Sequence, residues 1–218
     1  METLRLLVAD DHEVVRIGLC ALLEEQPGWE VVAQARDGRE AVEKTKQSRP
    51  DVGVLDVAMP DLNGLEATRQ ITRDIPDTKV LILTMHESDT LIREVLDAGA
   101  RGFLLKTDAG AELVNAVDAL RRNQTFFTPR VSQMVLDGYL KKEYNPGNGD
   151  TFHSRLTPRQ REIVQLLAEG KSSKEVAVAL GLSVKTAETH RANIMRRLDC
   201  HSVAELVRYA VRNRIIQA

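Results

Sequence analysis

Five short apolar runs alternate with amphipathic segments over the first 122 residues, and this alternation constrains the fold more than any other feature. The runs are Leu4–Ala9, Glu30–Ala35, Val52–Asp56, Val80–Leu83 and Gly102–Leu105. Most are rich in valine or leucine, and all are too short to be helices. Buried strands joined by helices require right-handed crossovers. The alternation therefore predicts an α/β fold with a doubly wound, five-stranded parallel sheet.

The intervening segments have the spacing of amphipathic helices. Two of them carry the clearest apolar faces, and the predicted members are Val14, Leu19, Leu22 and Leu23 in the first segment and Leu113, Val117 and Leu120 in the last. We expect these faces to pack against the sheet.

A change of composition near residue 126 predicts a second, all-helical domain. A helical stretch, Arg130–Lys141, follows Pro129, and a turn-rich stretch without a core, Glu143–Asp150, comes after it. We predict a first domain over 1–125, a linker with one helix over 126–150, and a small helical domain over 151–218.

Charge separates the two predicted domains. Residues 1–125 carry 15 Lys and Arg against 23 Asp and Glu, whereas residues 151–218 carry 12 against 6. A basic C-terminal domain favours phosphate backbones as partners, although basic helix faces are often only solvated. No apolar run is long enough to cross a bilayer, so no membrane partner is expected. The only cysteines, Cys20 and Cys200, lack a redox or ligand spacing, which favours a cytoplasmic location.

Five polar residues fall at or just after the ends of predicted strands: Asp10, Asp11, Asp56, Thr84 and Lys106. Ligands of an open parallel sheet bind at the carboxyl ends of its strands. Each residue alone has an ordinary explanation, such as helix capping for an aspartate. Together, three carboxylates, a hydroxyl and an ammonium suit a divalent cation and a phosphoryl group, and one aspartate can become an acyl phosphate.

The expected cation is Mg²⁺, which keeps several waters and takes few carboxylates. We predict that its ligands are Asp10 or Asp11, Asp56 and the backbone carbonyl of Ala58. Lys106 would neutralise a phosphoryl oxygen, and Thr84 would donate a hydrogen bond to another.

The pattern Asp10-Asp11, Asp56-Val57-Ala58-Met59-Pro60, Thr84 and Lys106 resembles the flavodoxin-like receiver domain of two-component response regulators. The resemblance implies that Asp56 accepts phosphate from a sensor histidine kinase, with Asp10 and Asp11 both binding Mg²⁺, and that the protein is not a dedicated enzyme. It also implies that Thr84 moves toward the phosphate while Phe103 rotates inward as the switch residue.

Three further residues lie near the expected phosphate site. Phe103 stands where tyrosine is frequent, so it has no hydroxyl for a hydrogen bond. Ala58 and His86 each lie two residues beyond a site residue and are predicted to tune the lifetime of the acyl phosphate, although an ordinary exposed loop explains His86 equally well.

The last 60 residues carry marked helix starts. Thr157-Pro158-Arg159-Gln160 combines a capping residue, proline at the first helical position and glutamine at the third, and Ser172 with Glu175 forms a capping box. The turn Gly181-Leu182-Ser183 precedes helices predicted over Val184–Leu198 and Ser202–Arg212. A helix, a short glycine-containing turn and a second helix predict a helix-turn-helix.

This stretch resembles the LuxR-type helix-turn-helix, and with the receiver it resembles the NarL/FixJ class of response regulators, which bind DNA as dimers to regulate transcription. By this resemblance Glu188, Thr189 and Ala192 face base edges in the major groove. The predicted phosphate contacts are Lys171, Ser172, Ser173, Lys185, Thr186, His190, Arg191 and Asn193. Val176, Ala177, Leu180, Leu182 and Val184 would form the core between the two helices.

The resemblance implies double-stranded DNA and a second copy of the chain as partners. The last helix, with Val203, Leu206, Val207, Ala210 and Val211, is predicted to be the dimer contact, unless it only closes the domain core. RNA polymerase is a further candidate partner. Three alternatives stay open: an aspartyl-phosphate hydrolase, which would need an aspartate at Ala58, a regulator that does not depend on phosphate, and a small-molecule-sensing LuxR protein.

Overall fold

The computed structural model describes residues 3–129, 131–133, 156–213 and 215–216 and forms two compact units. Most of the predicted linker, including the turn-rich stretch Glu143–Asp150, lies outside the described residues. Of the predicted helix Arg130–Lys141, residues 131–133 are described, and they are helical. No helix in the described ranges is long and apolar enough to cross a membrane.

The N-terminal unit alternates strands and helices throughout. Its strands are β1 (Leu4–Ala9), β2 (Trp29–Ala35), β3 (Val52–Asp56), β4 (Lys79–Thr84) and β5 (Gly102–Leu105), and its helices are α1 (Glu13–Glu24), α2 (Gly38–Ser48), α3 (Gly64–Asp74), α4 (Asp89–Asp97) and α5 (Ala109–Arg121). A single 3₁₀ turn, Lys106–Asp108, joins β5 to α5. The predicted strands are confirmed, with β2 one residue longer at its start and β4 one residue longer at each end than predicted.

The five strands form one parallel sheet in the order β2-β1-β3-β4-β5. The connection after β1 leads to β2 on one side of the sheet, whereas the connection after β3 leads to β4 on the other side. This reversal opens a crevice at the carboxyl ends of β1 and β3. Every residue of β3 is buried, as expected for a central strand covered by helices on both faces. The predicted doubly wound α/β fold is confirmed.

One predicted helix face is wrong in part. Leu19 and Leu23 of α1 are buried in the core, but Val14 is 84% exposed. At 3.6 residues per turn, the five-residue step from Val14 to Leu19 turns the side chain about 140° away from that face. Val15, one residue later, packs against the core instead.

The C-terminal unit contains four helices among its described residues: α6 (Pro158–Ala168), α7 (Ser173–Leu180), α8 (Val184–Leu198) and α9 (Val203–Arg212). Both predicted capping boxes form, at Thr157 with Gln160 and at Ser172 with Glu175. Gly181 ends α7 in the left-handed conformation, with φ of 64°, which glycine adopts without the strain that a side chain would add. The Ser183 hydroxyl then accepts from Thr186 N and starts α8.

Helices α7 and α8 pack against a small core that contains Val176, Ala177 and Leu180, as predicted. Leu182 is half-buried against this core. The prediction is wrong for Val184, the first residue of α8, which is 44% exposed.

Candidate functional site

Three of the predicted charged residues meet at the crevice between β1 and β3. Asp10 directly follows β1, Asp56 is the last residue of β3, and Lys106 directly follows β5. Lys106 Nζ lies 2.7 Å from Asp10 Oδ2 and 3.0 Å from Asp56 Oδ2. The Lys106 ammonium therefore pairs with two carboxylates, and both of these are almost completely buried.

This arrangement leaves negative charge uncompensated inside the protein. The pKa of Asp56 is raised to about 6, chiefly by burial and also by the charge of Asp10, although Lys106 and the Ala58 amide act against the shift. Burial also disfavours the charge of Lys106, but its pairing with Asp10 and Asp56 prevails and raises the pKa of the ammonium. The cluster therefore favours an added cation.

Gly64 fixes the loop that leaves Asp56. Its amide donates to Val57 O at 2.9 Å, and a Cβ at this position would lie 1.9 Å from the carbonyl oxygen of Asp56. Any side chain would therefore push against the backbone of the site. Only glycine permits α3 to begin this close to the end of β3.

Thr84 ends β4, next to Asp56 on the same edge of the sheet, since Val57 N donates to Leu83 O. Its hydroxyl donates to His86 O at 3.1 Å and accepts from His86 N at 3.3 Å, so it is held by its own loop. Phe103 is completely buried in β5. Its amide donates to Phe126 O at 2.9 Å, so the residues after α5 pair with β5.

The donor set fits a divalent cation. Asp10, Asp11, His12 and Asp56 each offer one ligand atom, and the four atoms lie within 4.8 Å of one another. Asp10 Oδ2 is buried and accepts no well-formed hydrogen bond from the described residues, although Lys106 Nζ is close. The sequence analysis did not identify His12 as a possible metal ligand. Its position directly after Asp10 and Asp11 could have indicated that role.

The predicted DNA-contacting residues lie on α7, α8 and the turns before them. Lys185, Thr186, Glu188, Thr189, Ala192 and Asn193 are exposed, as are Lys171 and Ser172, whereas Ser173, His190 and Arg191 are half-buried. Some of these groups have local partners: Thr189 Oγ1 donates to Lys185 O at 2.8 Å, and Arg196 donates to Asn193. The three residues predicted to face bases, Glu188, Thr189 and Ala192, are exposed together on one face of α8.

Two family models match the chain. Residues 6–118 match the response regulator receiver domain, and residues 154–210 match bacterial regulatory proteins of the luxR family. The first match contains all five predicted strand-end residues of the sheet. The second contains the helix-turn-helix.

Proteins with both domains are similar to this chain along its whole length. The transcriptional regulatory protein LiaR of Bacillus subtilis is 38% identical over 213 residues, which cover 98% of this chain and 99% of LiaR. The RcsB response regulator of Salmonella typhimurium has a similar structure, with a TM-score of 0.63, 26% identity and coverage of 98% and 99% of the two chains. A structure of two RcsB dimers bound to two parallel DNAs matches with a TM-score of 0.56 and 26% identity over 95% of this chain and 98% of RcsB. The chain therefore belongs to the LuxR-type, NarL/FixJ-class family of two-component response regulators, which are DNA-binding regulators of transcription.

Proposed function

We propose that Asp56 accepts a phosphoryl group from a sensor histidine kinase with the help of Mg²⁺, and that this modification switches dimerisation and promoter binding. One observation carries the proposal. In the crevice at the carboxyl ends of β1 and β3, the carboxylates of Asp10 and Asp56 both lie within 3.0 Å of the Lys106 ammonium. We also propose that the domain promotes its own phosphorylation and dephosphorylation without being a dedicated enzyme.

Asp56 is the proposed nucleophile because it lies at the end of the central strand with its backbone fixed by Gly64. Its carboxylate oxygen forms a bond to phosphorus, the phosphorus–nitrogen bond of the kinase phosphohistidine breaks, and the imidazole leaves with the electron pair. Asp10, Asp11, Asp56 and the Ala58 carbonyl are the proposed Mg²⁺ ligands. Bound Mg²⁺ would offset the repulsion between the carboxylate and the phosphoryl oxygens.

Lys106 has a different task before and after transfer. Its ammonium holds Asp10 and Asp56 at 2.7 and 3.0 Å in the unmodified site. Once Asp56 carries a phosphoryl group, the same ammonium can pair with a phosphoryl oxygen, because a lysine ammonium acts as a compact point charge. Thr84 would exchange its hydrogen bond to His86 for one to another phosphoryl oxygen.

Movement of Thr84 would change the contacts of the segment that follows α5. The Thr128 hydroxyl donates at 3.2 Å to Oε1 of Glu87, which lies three residues beyond Thr84. Phe126 exchanges backbone hydrogen bonds with Arg101 and Phe103, the residues on either side of Gly102. Val131 is buried further along the same segment. We therefore propose that the loop after β4 passes the phosphorylation signal to residues 126–131 and onward along the chain.

The exposed face of α8 is the proposed reader of the major groove. Glu188 can accept from a cytosine amino group, and Ala192 can contact a thymine methyl group. Lys171, Lys185 and the amides at the starts of α7 and α8 suit phosphate contacts.

A homodimer would place two such helices on successive turns of DNA. In α9, Leu206 and Ala210 are buried in the core of the unit, while Val203 is exposed. The proposed dimer contact is therefore the side of α9 that carries Val203, with Val207 and Val211 half-buried beside it. If promoter DNA is the partner, the protein acts in the cytoplasm. RNA polymerase is a further candidate partner there.

Labelling by radioactive acetyl phosphate in Mg²⁺ tests the acceptor. The wild-type chain and the exposed control variant Asp77→Asn should incorporate label equally, whereas Asp56→Asn should incorporate none. Labelled wild type should then bind its own promoter region more tightly than unlabelled protein. Equal labelling of Asp56→Asn would refute the assignment of the acceptor.

A further inference from the structure

His12 brings a nitrogen donor to the carboxylate cluster. Its Nδ1 lies 2.8 Å from Asp11 Oδ1 and 3.5 Å from Asp10 Oδ1. The His12 backbone is fixed at the start of α1, because its amide donates to Asp10 Oδ1 at 2.9 Å. The imidazole is thus held over the cluster while most of the ring stays exposed to solvent.

The spacing of these atoms suits ligands that share one ion. Two ligands at right angles, each about 2.1 Å from a metal, are about 3 Å apart. The distances from His12 Nδ1 to the Asp11 and Asp10 oxygens lie on either side of that value. A ligand atom of Asp56 also lies within 4.8 Å of a ring nitrogen of His12, so the ring is within reach of the whole cluster.

Imidazole changes which ions the cluster prefers. Carboxylates, carbonyls and water suit Mg²⁺, whereas imidazole suits nickel, copper and zinc, and affinity for a mixed nitrogen and oxygen site rises from Mn²⁺ to Cu²⁺. We infer that His12 is a further metal ligand, through which the centre binds a nitrogen-preferring divalent ion such as Ni²⁺ in competition with Mg²⁺.

Two further features of the cluster agree with a bound ion. Asp10 is completely buried, and its Oδ2 has Lys106 Nζ at 2.7 Å but accepts no well-formed hydrogen bond from the residues that the structure describes. The charge of Lys106 is shared between two carboxylates, while Asp11 has His12 as its close neighbour. The inference rests on the metal centre of the proposed function and adds the class of ion that the centre selects.

Isothermal titration calorimetry of the full chain with NiCl₂ and with MgCl₂ tests the inference. His12→Ala should weaken Ni²⁺ binding about tenfold or more, the cost typical of disturbing a metal site, and leave Mg²⁺ binding within about twofold. His201→Ala is the matched control, because His201 is an exposed imidazole 3.8 Å from Asp199 and 3.7 Å from Glu205. It should leave both affinities unchanged.

The outcomes separate the inference from the proposed function. Equal weakening of both ions by His12→Ala would mean that His12 only orients Asp11, and unchanged Ni²⁺ binding would mean that it is no ligand. Either result overturns the inference and leaves the Mg²⁺ centre standing. Excess Mg²⁺ should displace Ni²⁺ from the wild-type chain, and a failure to compete would place Ni²⁺ elsewhere. If neither ion binds, the metal centre of the proposed function fails as well.

Discussion

Replacing Asp56 by asparagine should stabilise the metal-free N-terminal unit at neutral pH. The pKa of Asp56 is raised from 3.8 to about 6 by burial, with Asp10 adding to the shift. A shift of one pKa unit corresponds to about 1.4 kcal/mol, so the charged form costs about 3 kcal/mol of folding free energy at pH 7.5. Asparagine has nearly the same shape without the charge. Lys106 keeps its contact with Asp10 at 2.7 Å, so the substitution leaves no isolated ammonium.

The effect has a defined pH dependence. The unfolded Asp56 carboxyl releases its proton near pH 3.8 and the folded one near pH 6, so the folded state binds more protons between these values. The free energy of unfolding therefore falls as pH rises through this range and stays lowered above it. Asp56→Asn should be more stable than wild type at pH 7.5, and its advantage should shrink toward pH 4.

Urea denaturation in EDTA, followed by Trp29 fluorescence, measures this effect in the full chain. Trp29 is the only tryptophan and lies in β2, so it reports on the N-terminal unit alone. Asp77→Asn, which removes an exposed carboxyl of the same unit, is the control and should change stability by less than about 0.5 kcal/mol. A variant at position 56 that is no more stable than wild type at pH 7.5 would refute the proposed cost of the buried charge.

Three further predictions concern the ion, the backbone and the DNA-binding unit. At an Mg²⁺ concentration ten times its dissociation constant, the wild-type chain should gain about 1.4 kcal/mol in urea denaturation, and Asp56→Asn should gain much less. Gly64→Ala should abolish labelling by acetyl phosphate, because its Cβ would lie 1.9 Å from Asp56 O, whereas Gly110→Ala, which has no atom within 4 Å of its Cβ, should label normally. Ser183→Ala should destabilise the helix-turn-helix by about 1 kcal/mol through loss of the α8 cap, measured by thermal circular dichroism, and an unchanged transition would contradict that role.

The strand-end residues were predictable from sequence because three regularities coincide. Short apolar runs set the strands, helical crossovers make them parallel, and parallel strands place their carboxyl ends on one edge. Asp10, Asp56 and Lys106 therefore had to lie on the same edge, whatever the details of the loops. The prediction failed for Val14 because it grouped the apolar residues of the segment without checking the angle of each one around the helix.

Other features depend on contacts that sequence patterns do not encode. The position of His12 against Asp11 depends on how the chain enters α1, and a histidine there is equally compatible with an ordinary exposed residue. The pairing of Phe126 with the edge of β5 is a single parallel bridge, too short to leave a strand-like pattern. Gly64 lies in a turn-rich stretch, and only the position of Asp56 O shows why its lack of a side chain matters.

The burial of neighbouring carboxylates lowers the free energy of unfolding and also underlies the proposed function of the site. The completely buried strand β3 holds Asp56 beside Asp10 at a cost that a single lysine ammonium does not remove. A group that relieves this repulsion must bind the folded state more tightly than the unfolded chain, and it must therefore stabilise the fold. Cation affinity and low intrinsic stability should consequently change together. A substitution that relieves the repulsion without blocking the site should raise the stability of the metal-free protein and weaken its binding of Mg²⁺.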